Sequence, residues 1–530
     1  MSKEVVDTIS KACAYGDFDK LKQFFSEDPA SINQPDESGY YPLQWAALNN
    51  RTVEVNYLLS VGASMNAADG TGQTALHWAA VRGSLPVIEA LMRAHADHEM
   101  RDNRGYTITH VAAQYGQTAV LYHLALKWNV DVDTHDADGR TPLHWAAYKG
   151  FPDTIRLLLT LDARYTLADK EGCTPLHWAA IKGNGEACTV LLQGGSVNVL
   201  TYKDVTGLTP AQLALEKGHR YLGLHLAEYK RKQDGDGLFG RNGRLSWLTN
   251  TQLAPALWVY AVLLSTTFMY KVMGSTQSEP TGQLLSVFSW SVVISVALGL
   301  FFLYKTTTAD PGFIPTGADT NSKDKDIESE TSRMLSSQHK VLDSPALWAG
   351  NWGQLCVSCR IVRPLRAKHC QVTDRCIEVY DHYCPWVGNA IGKGNRHFFL
   401  VFVWLELYGM IISAIVGLVQ IQAHLHTNRI NMSTMAWLVG FEVVDVFVLI
   451  ATAALAIAQA SQVARNVTTN ELANWHRYKY LHGPDGSFVN PFSHSCWENC
   501  TESFTPAQQK MAPVYLSHSN KLHAGSAGNV

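Results

Sequence analysis

Thr141-Pro142-Leu143-His144-Trp145-Ala146-Ala147 returns as Thr174-Pro175-Leu176-His177-Trp178-Ala179-Ala180, and nearly so at Tyr41–Ala47, Thr74–Ala80 and Thr107–Ala113. A weaker copy begins at Thr209-Pro210, and the spacings are 33, 33, 34, 33 and 35 residues. Near-copies at constant spacing mean one small structural unit stacked on itself, each burying a face its neighbour completes. Thr and Pro suit the opening of a helix, where a side-chain cap is needed and a missing N–H costs nothing. Leu and the two Ala pack inward, and small Ala lets neighbouring helices approach. Gly83, Gly116, Gly150 and Gly183 suit the tight turn after the helix, and Asp69–Gly72, Asp136–Gly139 and Asp169–Gly172 suit turns between units. His77, His110, His144 and His177 follow the period of the repeat, so they are expected to make structural hydrogen bonds and to bind no metal.

The period and the heptad resemble the ankyrin repeat. The resemblance implies an ankyrin domain over residues 1–235, made of a cap and about six repeats, with residues 5–25 as the capping helix pair. Such a solenoid is a binding surface for protein partners, and the chemistry is expected elsewhere in the chain.

The other half has a different composition. Among 530 residues, 43 Lys+Arg nearly balance 46 Asp+Glu, which gives no reason to expect a nucleic-acid partner. Apolar runs near 252–273, 284–304, 398–421 and 435–459 each reach the length that crosses a bilayer core. The first 30 residues hold no long apolar stretch, so no cleavable signal is expected. Lys230, Arg231, Lys232, Arg241 and Arg244 precede the first run and predict a cytosolic N-terminus. The resulting division is linker and spans one and two over 236–304, a cytosolic loop over 305–397, spans three and four over 398–459 and a cytosolic tail over 460–530. Residues 316–345 read as a tether. Asn431-Met432-Ser433 is a glycosylation sequon on the luminal side. Glu406, Glu442 and Asp445 fall inside spans and are expected to make polar contacts within the bundle.

Asp381-His382-Tyr383-Cys384-Pro385-Trp386 places an acid, a base and a thiol within four residues, just before span three. Five of the ten cysteines (Cys356, Cys359, Cys370, Cys376 and Cys384) fall within 29 residues, a density that suggests metal or thiol chemistry in a reducing compartment. A thiol at a membrane surface reaches both an embedded acyl chain and a cytosolic protein, so membrane-bound thioester chemistry is the first expectation.

With Cys356, Cys359, His369, Cys370, Cys376 and Asp381–Cys384 in this order, the segment over about 354–397 resembles the cysteine-rich domain of the Asp-His-His-Cys (DHHC) protein S-acyltransferases. The Asp-His-Tyr-Cys variant joined to ankyrin repeats is similar to the fungal Akr palmitoyltransferases. Asp310-Pro311-Gly312, Thr468-Thr469-Asn470-Glu471 and Asn490-Pro491-Phe492 with Asn499 match further motifs of the family. The fold implied is all-α: an ankyrin solenoid, then a polytopic helical membrane domain with a cytosolic zinc-binding insert. The activity implied is transfer of a long-chain acyl group from palmitoyl-CoA through Cys384 to cysteines of protein substrates. His382 would be the base and Asp381 its orienting acid. Cys356, Cys359, His369 and Cys376 would hold one structural zinc ion. The family's second site maps onto Cys370, Thr373, Tyr383 and Ala390, of which only Cys370 is an ordinary zinc ligand, so one zinc per chain is expected. Thr469 would brace Asp381, with Thr468 and Glu471 in support. Asn490 and Asn499 would anchor the tail, while Asn389 and Asn395 tie the catalytic loop to span three. The family's glycine in the tail motif is replaced by Ser495, and an additional pair of spans found in ankyrin-bearing relatives does not occur before Asp310. Residence in Golgi and early endosome membranes is a further implication of the resemblance.

Arg360, Arg363, Arg366 and Lys368, with Trp386, form the candidate CoA contacts, and Phe398, Phe399, Trp404 and Tyr408 the candidate acyl-chain lining. The competing reading is a non-enzymatic ankyrin scaffold with a structural zinc knuckle. A scaffold has no need of Asp381, His382 and Cys384 together, whereas a transferase does.

Overall fold

The computed structural model describes residues 6–195, 197–234, 263, 280–316, 341–426 and 432–505. The linker from Gly235, the first expected span at 252–273, most of the tether, Asn431 and the tail beyond residue 505 lie outside the described residues. The chain divides into two compact units, one of Met1–Asp234 with Asn321–Val362, the other of Gly235–Thr320 with Arg363–Val530.

The first unit is a stack of helix pairs. The pairs are α1 (Ile9–Tyr15) and α2 (Phe18–Glu27), α3 (Pro42–Leu48) and α4 (Thr52–Ser60), α5 (Ala75–Arg82) and α6 (Leu85–Arg93), and α7 (Ile108–Gln114) and α8 (Thr118–Trp128). They continue as α9 (Pro142–Lys149) and α10 (Pro152–Thr160), α11 (Pro175–Lys182) and α12 (Gly185–Gly194), and α13 (Pro210–Glu216) and α14 (Arg220–Asp234).

The heptad explains each pair. In α9, Thr141 is the N-cap and Pro142 the first helical residue, while Leu143, Ala146 and Ala147 are buried. The Thr141 backbone N–H donates to His144 Nδ1 at 3.0 Å, so that nitrogen is the acceptor and the proton sits on Nε2. Nε2 then donates to the Cys173 carbonyl of the next repeat at 3.1 Å. His77 and His110 bridge in the same way to the carbonyls of Tyr106 and Arg140. The histidines are therefore caps and inter-repeat ties. The Trp of the motif has a partner that sequence inspection overlooked. Trp78, Trp145 and Trp178 donate their indole N–H to Asp69, Asp136 and Asp169, nine residues upstream. The other oxygen of each Asp braces the turn, as Asp136 does by accepting from the N–H groups of Asp138 and Arg140. Gly150 takes φ 78°, a left-handed conformation that L side chains rarely adopt.

The same unit includes Val341–Val362. This stretch has a short helix α15 (Pro345–Trp348), a 3₁₀ turn at Trp352–Gln354, and a hairpin of β1 (Leu355–Cys356) with β2 (Ile361–Val362). Leu342, placed in the tether by its composition, is buried in the solenoid's own core cluster.

Among the described residues, the second unit contains three helices long and apolar enough to cross a membrane, in α16 (Pro280–Thr308), α17 (Arg396–His426) and α18 (Met432–Ala464). These correspond to the second, third and fourth expected spans. Two antiparallel hairpins lie between α16 and α17: β3 (Lys368–Cys370) with β4 (Arg375–Ile377), and β5 (His382–Cys384) with β6 (Asn389–Ile391). The molecule is mainly helical, as expected, and the cysteine-rich segment adds small sheets. After α18 come α19 (Thr469–Asn474) and α20 (Cys496–Phe504). Of the acids within the spans, Asp445 accepts from Ser413 Oγ of α17 at 2.8 Å. Glu406 lies against Gly299 and Glu442 against Gly417, positions where a Cβ would collide with the carboxylate.

The bridging histidines give a pH-dependent prediction. Burial depresses His110 and His144 to about 4, although the accepting backbone carbonyls of Arg140 and Cys173 favour their charged forms. The unfolded chain, at the ordinary 6.5, binds protons that the fold does not, so stability falls as pH drops from about 6.5 to about 4. His144→Ala should remove the cap and the tie together, cost about 2–3 kcal/mol and flatten part of that slope. Thermal melts across this pH range check both effects.

Candidate active site

The site is built on one carboxylate. Asp381, 1% exposed, opens the β5–β6 hairpin, and its backbone N–H donates to the Ile391 carbonyl. Its Oδ1 accepts from the Thr469 backbone N–H at 2.8 Å, and its Oδ2 from Thr469 Oγ1 at 2.8 Å. Oδ2 also meets His382 Nδ1 at 2.6 Å. The Arg396 guanidinium, at the head of α17, stands 3.9 Å from Oδ1. Burial opposes the charge on Asp381, but the His382 bond, Arg396 and the Thr469 N–H outweigh it and hold the carboxyl at about 2. Burial likewise opposes a charged His382, yet the bonds to Asp381 and to the Cys384 side chain push it up to about 9. Asp381, His382 and Cys384 are thus linked in that order.

The surroundings of Cys384 are apolar. The residue is 7% exposed and clusters with Leu303 of α16, Phe399, Val403 and Leu407 of α17, and Ala456 of α18. Phe399, Val403 and Leu407 recur every four residues and line one face of α17. The Phe399 ring meets His382 edge-on at 5.6 Å. Of the expected acyl lining, Phe399 is at the thiol. Phe398 instead pairs with Phe302 and His397, Trp404 is exposed, and Tyr408 donates to Ser291 Oγ on α16. The helical period puts residues 398, 404 and 408 off the 399–403–407 face.

The hairpins are fixed to the ends of the span helices. Asn389 Nδ2 donates to the carbonyls of Thr306, Thr307 and Ala309, and Asn395 Nδ2 to Thr306 and Ala390. Both asparagines were expected to serve span three. They instead satisfy the orphan carbonyls at the C-terminus of α16, the second expected span. Asp310 Oδ1 accepts from the N–H groups of Gly312 and Phe313 at 2.8 Å, closing the Asp-Pro-Gly turn. A Cβ on Gly394 would stand 2.2 Å from the Asp310 carbonyl oxygen, so only glycine allows this approach.

Arg366 and Glu471, both buried, form a second centre. Arg366 Nε and Nη2 donate to the two Glu471 oxygens at 2.8 and 3.0 Å, and the guanidinium also bonds Asn466. Glu471 is also the capping-box residue of α19, accepting from the Thr468 N–H at 2.9 Å. Thr468 returns the bond through its hydroxyl, which accepts from the Glu471 N–H. Lys368 donates to Asn470 Oδ1 at 2.7 Å. The tail is tied similarly: Asn490 reaches the carbonyls of Arg465 and Asn466, and Asn499 that of Ala464, the last residue of α18. Ser495 caps α20 by accepting from the Glu498 N–H.

The expected CoA cluster does not stand together as free charges. Arg360 belongs to the first unit and pairs with Asp162. Arg366 is spent on Glu471, and Trp386 is exposed. Lys368 retains basic neighbours: burial first, then the charges of Arg363 and Arg477, hold its ammonium below the ordinary lysine value. Arg477 was missed in the sequence because it lies 109 positions from Lys368. Arg396 was missed too, although an arginine at the mouth of an apolar run was a readable signal.

Cys356, Cys359, His369 and Cys376 bring their ligand atoms within 4.8 Å of one another. His369 and Cys376 face each other across β3–β4. Asp374 lies 3.3 Å from His369 Nε2, leaving Nδ1, 3.9 Å from Cys376 Sγ, for a metal. Three sulfurs and one imidazole suit a closed tetrahedral zinc site. Cys370 and Ala390, from the broken second set, lie in an apolar cluster with Ile377 and Tyr380, against which Phe313 and Tyr383 pack. No second group of three or more candidate ligands occurs among the described residues.

Comparisons with known proteins agree. Residues 351–476 match the DHHC palmitoyltransferase model, and 9–102, 82–169 and 162–234 match ankyrin repeats. The chain is 38% identical over 515 residues to "Probable protein S-acyltransferase 23" of Arabidopsis thaliana, covering 94% of this chain and 93% of the relative. It is 30% identical over 561 residues to "Palmitoyltransferase ZDHHC17" of Mus musculus, covering 94% and 85%. The chain belongs to the DHHC palmitoyltransferase family, in its ankyrin-bearing form.

Glu471→Ala would strand a buried guanidinium, which should cost about 3–5 kcal/mol. Detergent-solubilised protein should then melt earlier or fail to accumulate, and an unchanged melting temperature would refute the role given to this pair.

Proposed function

We propose that this protein moves a long-chain acyl group from acyl-CoA to cysteines of protein substrates through a thioester on Cys384. One observation carries the reading: Cys384 sits at the end of the Asp381–His382 relay and inside an apolar cluster drawn from α16, α17 and α18.

Cys384 Sγ gives its proton to His382, and Asp381 stabilises the imidazolium that results. The thiolate attacks the acyl-CoA carbonyl, a C–S bond forms, and the bond to CoA breaks with CoA leaving as its thiolate. In the second step a substrate cysteine thiolate attacks the Cys384 thioester and Cys384 leaves. One thioester replaces another in each step, so neither is strongly downhill. The chain would lie along the Phe399–Val403–Leu407 face, where each CH₂ removed from water contributes about 0.8 kcal/mol. Lys368, with Arg363 and Arg477 nearby, is the basic group best placed to meet CoA phosphates.

One zinc would be held by Cys356, Cys359, His369 and Cys376. It would supply folding energy to the loop that carries the site. Tyr383, opposite Ala390 in the hairpin, fills part of the space of the lost second set with its ring. We place both termini and the loop 305–397 in the cytosol, and we assign Golgi and early endosomal membranes as the compartment. The ankyrin repeats would receive protein partners.

Cys384→Ala should abolish hydroxylamine-sensitive labelling by an acyl-CoA probe. Asp381→Asn should slow labelling by ~10²–10⁴-fold. It should also bring the His382 titration, followed by NMR of its imidazole, below about 9, because Asp381 is what raises His382. Persistent labelling in Cys384→Ala would sink the mechanism.

Elemental analysis should give one zinc per chain, and Tyr383→His should not raise it to two. Cys359→Ala should lower zinc and folded yield together.

A further inference from the structure

The sequence suggested separate roles, with the solenoid binding partners and the loop doing chemistry. The first unit does not keep them separate. Val341–Val362 lies along the α8–α10–α12 face, within the first unit. The Tyr122 hydroxyl of α8 donates to the Leu342 carbonyl. The Tyr122 ring is edge-on to Trp348 at 4.9 Å and meets Trp352 at 5.2 Å. Leu342, Leu347, Trp352, Leu355 and Val357 are buried in one cluster with the solenoid's leucines. Beyond Val357, Ser358 Oγ donates to the Gln193 carbonyl at 2.7 Å, and Arg360 pairs with Asp162. A Cβ on Gly194 would stand 2.6 Å from Val357 Cγ1 and 2.8 Å from Leu159 Cδ1, so α12 is cut away to admit the strand.

Four of these contact residues flank the metal ligands closely. Leu355 and Val357 bracket Cys356, and Ser358 and Arg360 bracket Cys359. The hairpin itself has only the Leu355–Val362 and Cys356–Ile361 pairs, too short to be stable alone. What sets the Cys356–Cys359 turn is therefore the ankyrin surface beneath it.

We infer that the α8–α10–α12 face is a docking surface for the protein's own 341–362 segment, and that this docking positions the first two sulfur ligands of the zinc knuckle. The solenoid is thus a positioning part of the acyltransferase as well as a partner-binding surface. The consequence for acylation rests on the thioester reading of Cys384. The docking itself does not, and its test has readouts besides activity.

The test uses full-length protein in detergent, with hydrogen exchange, zinc content and autoacylation measured on each sample. In the wild type, amides of 341–362 should be protected like those of α8 and α10. Trp352→Ala should lower that protection at least tenfold while α3–α7 keep theirs. Zinc should fall below one per chain, and autoacylation should fall at least fivefold. Should Trp352→Ala unfold the solenoid as well, a charge exchange replaces it. Arg360→Asp should loosen the segment and lower zinc, and adding Asp162→Arg should restore both. An unprotected segment in the wild type overturns the docking. A loosened segment with full zinc and undiminished autoacylation, or a charge exchange that restores nothing, overturns the positioning role. Normal protection and zinc with no autoacylation in the wild type would remove the thioester reading and leave the docking standing.

Discussion

A carboxylate buried to 1% exposure must be surrounded by donors, and much of the second unit can be read as the means of supplying them to Asp381. Thr469 gives two, His382 one, and Arg396 stands by with its charge. These partners come from the turn after α18, from β5 and from the head of α17. The site is consequently assembled only when the span ends and the β5–β6 hairpin are in register. The arrangement also explains why an imidazole in an apolar setting carries a proton: burial alone would favour the neutral ring, and the fixed anion reverses that preference.

The same logic operates at the span ends that carry the hairpins and the tail. A helix ends with carbonyls that have no intrahelical partner, and here side-chain amides take them. Asn389 and Asn395 serve α16, and Asn490 and Asn499 serve the end of α18. Glu471 completes a capping box and closes on Arg366. Caps that would ordinarily be local stability devices thereby become the joints between membrane helices and the loop that bears the thiol.

The repeats were legible because their period is local and every copy repeats the evidence. The second, third and fourth spans were legible from length and apolarity, and the ligands and the Asp381–Cys384 trio from spacing and resemblance. What escaped depends on contacts between residues far apart in the chain. Nothing near Arg366 announces that Glu471, 105 positions on, will consume its charge, so a run of basic residues resembled a phosphate site. The period of α17 would have favoured Val403 and Leu407 over Trp404 and Tyr408, but only once Cys384 was known to face Phe399. Leu342 looked like tether because its neighbours are polar. Its partner, Tyr122, is 220 residues away.

That separation has a consequence for biosynthesis. Chains emerge N-terminus first, and domains fold as units while synthesis continues. The ankyrin stack is finished at about residue 234, more than a hundred residues before Leu342 is made, with the 286–308 apolar stretch to be inserted in between. The α8–α10–α12 face must therefore wait, uncovered and apolar, while the intervening apolar helix enters the bilayer. During that interval the nascent chain presents a surface suited to a holding chaperone. Its release would be timed by the arrival of Leu342, Trp352 and Leu355 rather than by the completion of the stack.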